Sequence, residues 1–252
     1  MDGDGHDMLT QYITETQNFL NDSQGQFFTA PTLTNYINRS RRRLCAASGC
    51  LRVIPPGAQT IANQEIYPFS MWNALVQEVM PAAQSILACL SVSVGIGGRL
   101  TQDPITSEWA ITGGSWKPMW RRLPWSDFQA RFRIYGRTFM GTISEPGWYA
   151  QYGLGQNAAL YLAPVPTQSL PMEIDFLLTP TPLLTDNDPE PIPYPWTDAV
   201  PYWSAVLCLI QQQRPQEAQA MMQLFQSDLP MCASVVAPIM LQSPYGATMR
   251  SA

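Results

Sequence analysis

Residues 147–196, GWYAQYGLGQNAALYLAPVPTQSLPMEIDFLLTPTPLLTDNDPEPIPYPW, constrain the fold more than any other part of the chain. Three apolar runs lie in it: Trp148–Tyr152, Ala158–Pro164 and Pro171–Leu178. Gly153, Gly155 and Asn157 separate the first two, and Pro164, Pro166 and Ser169 the next two. Short aromatic and aliphatic runs punctuated this way predict strands joined by tight turns. In the third run Met172, Ile174 and Phe176 alternate with Glu173 and Asp175, predicting one buried and one wet face. Together the runs read as an antiparallel meander.

The chain then changes character. Pro180, Pro182, Pro189, Pro191, Pro193 and Pro195 lack a backbone donor for a sheet ladder, so Thr179–Pro195 must be an extended link. Asp186, Asp188 and Glu190 predict that this link is solvated on its acidic side. Thr197 reads as an N-cap, and Asp198 suits the positive end of a helix. Two terminal helices are expected, over Trp203–Gln213 and Gln216–Asp228.

Helices are also expected at the other end. Leu9, Tyr12, Ile13, Phe19 and Leu20 recur at helical spacing before an Asn21-Asp22 stop. A second helix runs from Ala30 or Pro31 to about Ser48, with Leu33, Ile37 and Leu44 as its apolar stripe and Gly49 as its stop. Asn38-Arg39-Ser40-Arg41-Arg42-Arg43 falls on its other face. With a net charge of −5, a solvated or subunit-facing surface answered by acids elsewhere is favoured over a nucleic-acid patch.

The middle of the chain is strand-rich. Arg52–Pro55, the Pro56-Gly57 turn and Gln59–Tyr67 read as a hairpin, while Met71–Val79 fits helix or strand equally. Ser85–Gly95 favours strand at its end, and Gly95, Gly97 and Gly98 break it without matching a phosphate or dinucleotide loop. Residues 99–122 form a Trp-rich insert, an irregular loop or hairpin. Pro124-Trp125-Ser126-Asp127 then opens a short helix with Phe128 and Phe132 on one face.

Composition bears on how such a chain lives. A 252-residue chain that is 46% hydrophobic can bury a real core. Charged residues make up only 13%, against ~25% in ordinary soluble domains. Lys117 is the lone lysine among 14 basic residues. Few charges, many aromatics and arginine in place of lysine suit a surface covered by other subunits. Charge is also segregated: residues 1–38 and 138–213 carry acids without Arg or Lys, while 99–137 are Arg-rich. Arg121, Arg122, Arg131, Arg133 and Arg137, with Arg41, Arg42 and Arg43, are therefore expected to meet Asp186, Asp188 and Glu190 of an adjacent copy.

Several chemistries lack their residues. His6 is the sole histidine and sits in a Gly/Asp-rich terminus, which cannot hold the geometry of a nucleophile–base pair. Cys45, Cys50, Cys89, Cys208 and Cys232 are odd in number and match no zinc spacing; Cys89 and Cys208, within apolar runs, read as buried free thiols, which fits a reducing cytoplasm. The acidic link lacks the glycine and closing glutamate of a calcium loop. No catalytic residue, cofactor or metal is expected. Gln77, Glu78, Pro81 and Gln84 interrupt the apolar stretch Ala74–Val94, so no membrane association is expected.

The order of these pieces resembles the tailed-bacteriophage head–tail adaptor (connector or neck) proteins. Leu33-Thr34-Asn35-Tyr36-Ile37-Asn38 precedes an Arg-rich helical turn; Trp125-Ser126-Asp127-Phe128-Gln129-Ala130-Arg131 leads to Trp148-Tyr149-Ala150-Gln151-Tyr152-Gly153. Tyr161-Leu162-Ala163-Pro164-Val165-Pro166 then precedes a strand, the Pro/acid link and the terminal helices, so the resemblance covers about Leu9 to Asp228. The Trp-rich insert is longer than a minimal adaptor needs.

The resemblance implies an α+β fold: a small bundle of N- and C-terminal helices (1–50 and 197–229), an inserted antiparallel β-domain (51–196) and an extended tail (230–252). It implies a homo-oligomeric ring of about twelve copies under the portal protein, joined to a tail or nozzle protein. Genomic DNA would pass through without base readout, past a lumen lined by the acid-only span. Such a protein would be made in the host cytoplasm and reside in the virion neck. Met231, Val235, Val236, Ile239, Met240, Leu241 and Tyr245 would then carry portal binding by the tail. Alternatives are a tail terminator, a head-completion or fibre-attachment protein, or a carbohydrate-binding module using Trp116, Trp120 and Trp125.

Overall fold

Helical spacing and stop signals place the first two elements where the sequence predicts them. In the computed structural model, which describes residues 7–22, 24–96, 99–102, 109–112, 115–118, 121–134 and 146–236, α1 spans Met8–Leu20 and α2 spans Ala30–Ser48. Asn21 ends α1 at φ 54°, a left-handed conformation that asparagine tolerates better than most residues. Gly49 ends α2 at φ 68°, its N–H bonding the Cys45 carbonyl at 2.9 Å. Internal packing divides the chain into two units: Met1–Thr10 with Arg41–Pro193, and Gln11–Ser40 with Tyr194–Ala252.

The first unit holds the sheets. One has the order β1 (Arg52–Val53), β10 (Met172–Pro180), β3 (Ala83–Ile96), β6 (Ser115–Pro118). The other runs β2 (Ile66–Pro68), β9 (Ala159–Ala163), β8 (Trp148–Tyr152), β7 (Arg121–Arg122), and β4 (Arg99–Gln102) pairs with β5 (Trp109–Thr112) alone. All pairings are antiparallel except β7 with β8.

Two expectations fail here for topological reasons. The anticipated meander breaks after its second strand: β8 pairs with β9, but β10 crosses to the other sheet, between β1 and β3. The anticipated 52–67 hairpin does not form either, because β1 pairs with β10 and β2 with β9. Central placement also explains why β10 has no wet face. Asp175 and Leu177 are buried along with Met172, Ile174, Phe176 and Leu178. Arg52 on β1 covers Asp175 with a bidentate pair, its Nε lying 3.1 Å from Oδ1.

A bulge ties the sheets together. Asp175 pairs with Ser91 but Phe176 with Cys89, so Leu90 is skipped and backbone groups are left over. Strand β8 satisfies them: Gln151 Oε1 accepts the Cys89 N–H at 2.9 Å, and the Tyr149 hydroxyl donates to the Leu90 carbonyl at 3.2 Å. Beside it, Phe69 and Trp72 from a 3-10 turn pack on Phe176 with ring centroids 5.4 and 5.3 Å away. Helix α3 (Asn73–Val79) follows, so the ambiguous Met71–Val79 segment is helical.

The second unit is helical. Helix α5 (Val200–Gln211) starts after a 3-10 turn, Trp196–Ala199, with Ala199 rather than Thr197 at its N-cap. Pro215 then opens α6, which runs to Val236 and contains Pro230, so the expected tail begins as helix. Phe19 stacks on Tyr202 at 5.0 Å, Trp203 meets Phe225 at 5.2 Å, and the Ser40 hydroxyl donates to the Val200 carbonyl at 2.6 Å. The loop between α1 and α2 is organised by buried Asp22, whose carboxylate accepts the N–H groups of Gln26, Phe27 and Phe28 at 2.8, 3.0 and 3.2 Å. The molecule is an α+β protein with helices at both ends and antiparallel sheet between.

Candidate interaction surfaces

The arginines of α2 do not share one face. Leu33, Ile37 and Leu44 are fully buried, and Arg41 follows Ile37 by four residues and precedes Leu44 by three, which puts it on their stripe. Its guanidinium is buried: Nε and Nη2 each donate to Glu190 at 2.8 Å, and Nη1 donates to the Thr181 carbonyl at 2.7 Å. Glu190 Oε1 also accepts the Ile192 N–H at 3.0 Å. Arg41 and Glu190, expected to meet across subunits, thus pair within one chain, and the link is buried rather than solvated at Glu190. Arg42 and Arg43 are exposed.

The other two acids of the link also have local work. Asp186 accepts both the N–H and the hydroxyl of Thr10 at 2.8 Å. Asp188 Oδ2 accepts the N–H groups of Leu184 and Thr185 at 2.6 and 2.7 Å. These backbone donors, Thr185 first and Leu184 next, hold the Asp188 carboxyl below the ordinary carboxylate range. Asp186 thus ties the link to the start of α1, and Asp188 holds the link's own backbone.

The remaining arginines centre on α4 (Trp125–Phe128) and the π-helical turn Gln129–Ile134 that continues it. Phe128 is fully buried against Ala150 and Ala163, with Leu123, Trp125, Phe132 and Tyr161 packed around it. The Trp125 ring lies 4.5 Å from Tyr161 and 4.9 Å from Tyr152, so it is occupied by its own chain rather than free as a sugar platform. Arg133 lies over this cluster, 5.4 Å from the Trp125 centroid and 5.1 Å from that of Tyr161. Its fork meets Glu65 at 3.2 and 3.3 Å, and that carboxylate pushes the guanidinium pKa further up. Arg133 therefore also pairs within its own subunit. Arg122 and Arg131 are exposed.

Some expected contacts are not described structurally. Met231, Val235 and Val236 lie on α6. Ile239, Met240, Leu241 and Tyr245, like Arg137, Trp120 and His6, fall outside the described residues. Trp116 lies on β6 and Arg121 on β7. Among the described residues, no helix is long and apolar enough to cross a membrane. Glu65 is the partner that sequence reasoning missed: it stands 68 residues from Arg133, and no local pattern links them.

The SU10 adaptor protein family model matches residues 9–237, from the first turn of α1 to the residue after α6. The chain belongs to the SU10 adaptor protein family. This is a phage head–tail adaptor family, so the protein is a structural adaptor of the phage virion. The adaptor match takes in the helices of both ends and all of the sheet region, including the strands of the Trp-rich insert. No curated protein matches the adaptor in sequence.

Proposed function

We propose that copies of this adaptor close into a ring of about twelve beneath the portal, join it to the tail and line the DNA channel. The family match across residues 9–237 carries this reading. Composition supports it: low charge and arginine in place of lysine suit a surface that meets other subunits. Arg42, Arg43, Arg122 and Arg131 stand exposed and supply basic contacts between copies. The helical ends act as one part (1–50 and 197–229), the region 51–196 as another, and 230–252 reaches the portal. Of the acid-only span 138–213, the link around Asp186 and Asp188 is the part turned to the lumen, where acidic groups keep a passing polyanion from being gripped.

The mass of the assembled particle tests this. The purified full chain, mixed with portal, is expected to give a ring with the portal's copy number by native mass spectrometry. It should bind duplex DNA weakly and without sequence preference at physiological salt. A six-fold ring or a trimer would instead mark a different virion component, such as a tail terminator or fibre-attachment protein. Deleting 231–252 should abolish portal attachment and leave the β-domain folded.

A further inference from the structure

The C-terminal end of α2 brings two thiols together. Cys45 is in the last turn of the helix, fully buried, and Cys50 lies just beyond the stop at Gly49. The positive φ of Gly49 reverses the chain, so that Cys50 folds back and its Sγ lies 3.8 Å from Cys45 Sγ. Nothing lies within 4 Å of a side-chain position at Gly49, so the turn has room to adjust. Closing to a bond of about 2 Å brings the two sulfurs together by roughly a further 2 Å, and Cys50 lies outside regular structure. Cys89 and Cys208 offer a contrast: both are buried, and burial pushes each thiol up to about 12.

We propose that Cys45 and Cys50 are a reversible dithiol–disulfide site that staples the end of α2 to the approach to β1. Exposure separates the two thiols: Cys45 is fully buried and Cys50 is half-buried. The hydrogen bond to Cys50 first, and burial second, push the Cys45 thiol up; the nearby Glu190 adds to this, and Arg41 opposes it. The same contact, with help from the Ser48 side chain, pulls the half-buried Cys50 thiol down against its desolvation and against Glu190. Because an oxidant can reach only the more exposed sulfur, Cys50 is the attacking thiol and Cys45 the resolving one. With a low-molecular-weight disulfide as oxidant, the Cys50 thiolate attacks one sulfur, and one small thiolate leaves. Cys45 then gives up its proton and attacks Cys50 Sγ, expelling the second small thiolate. The protein is oxidised by two electrons, and the small disulfide is reduced to two thiols. A virion protein is a sensible place for such a site, because disulfides persist on virion surfaces and not in reducing cytosol.

The test uses the full chain exposed to glutathione disulfide, followed by alkylation and peptide mass mapping under non-reducing conditions. The wild type should lose two titratable thiols, keep no glutathione and yield an intrachain Cys45–Cys50 peptide that dithiothreitol releases. Cys45→Ser should stop at a glutathione adduct on Cys50, since the resolving thiol is gone. Cys50→Ser should give neither adduct nor cross-link. The proposal is overturned if the wild type retains glutathione on Cys50, if both thiols remain alkylatable, or if the cross-link joins two copies. None of these results depends on ring formation or portal binding.

Discussion

Arg41 and Arg133 each grip a glutamate of their own chain with two nitrogens, yet they sit in opposite settings. The Arg41–Glu190 pair is sealed, with side-chain exposures of 1% and 6%; Arg133 and Glu65 keep 37% and 23%. Arg41 has a carbonyl for its third nitrogen, while Arg133 rests on aromatic faces. The same pair of residue types therefore does different work. In the first, two charges were taken out of water and must stay matched. In the second, water screens the attraction, and the arginine's stem and plane cover Trp125 and Tyr161. Charge segregation in a sequence shows that opposite charges must meet somewhere; burial decides whether they meet inside a subunit or between subunits.

The comparison breaks first at Arg41. Arg41→Ala leaves Glu190 buried without its partner and is expected to cost about 3–5 kcal/mol in denaturant unfolding. Converting both residues to methionine should recover most of that loss, since an apolar pair of similar volume carries no desolvation penalty. If the double variant is as unstable as the single one, the pair is not a matched unit, and the Thr181 contact is what counts.

Arg133 should respond far less. Arg133→Ala removes an exposed ion pair and two partial ring contacts, with an expected loss of about 1 kcal/mol. A double-mutant cycle with Glu65→Ala, run at low and high salt, separates the two parts. The ion-pair coupling should shrink with salt while the ring contribution persists. An effect as large as that of Arg41 would mean that this surface is sealed in the working protein, as it would be against a neighbouring copy.

Much of this was legible in the sequence wherever local rules decide the outcome. The bounds of α2, the Gly49 stop, the strand runs and the Phe128–Phe132 contact follow from spacing and turn residues. The ring centroids of that last pair lie 5.1 Å apart. Partner choice between strands was not legible, because β8, β9 and β10 look alike in composition while β10 belongs to the other sheet. Arg41 is an intermediate case. Its register between Ile37 and Leu44 marked it as buried, but reading Asn38–Arg43 as one basic block concealed this. Thr197 had the right chemistry for a cap but lies within the 3-10 turn that precedes α5.

The smallest effect belongs to Asp188, whose charge is neither sealed nor paired with an arginine but held by backbone amides. Because Leu184 and Thr185 donate to it, its folded pKa lies below that of the unfolded chain, about 3.9. A depressed carboxylate stabilises the fold above the unfolded pKa, and that contribution is lost as pH falls through the folded value. Stability between neutral pH and the ordinary carboxylate range should therefore be flat with respect to this group, and its share should disappear only in stronger acid. Asp188→Asn keeps an acceptor oxygen but no charge, so it should lower stability slightly at neutral pH and flatten the acid limb. A carboxyl-carbon NMR titration reads the site directly: Asp188 should titrate below the ordinary aspartate range. A normal titration midpoint would mean that the two amide bonds do not hold this end of the link, leaving Asp186 and Glu190 to order it.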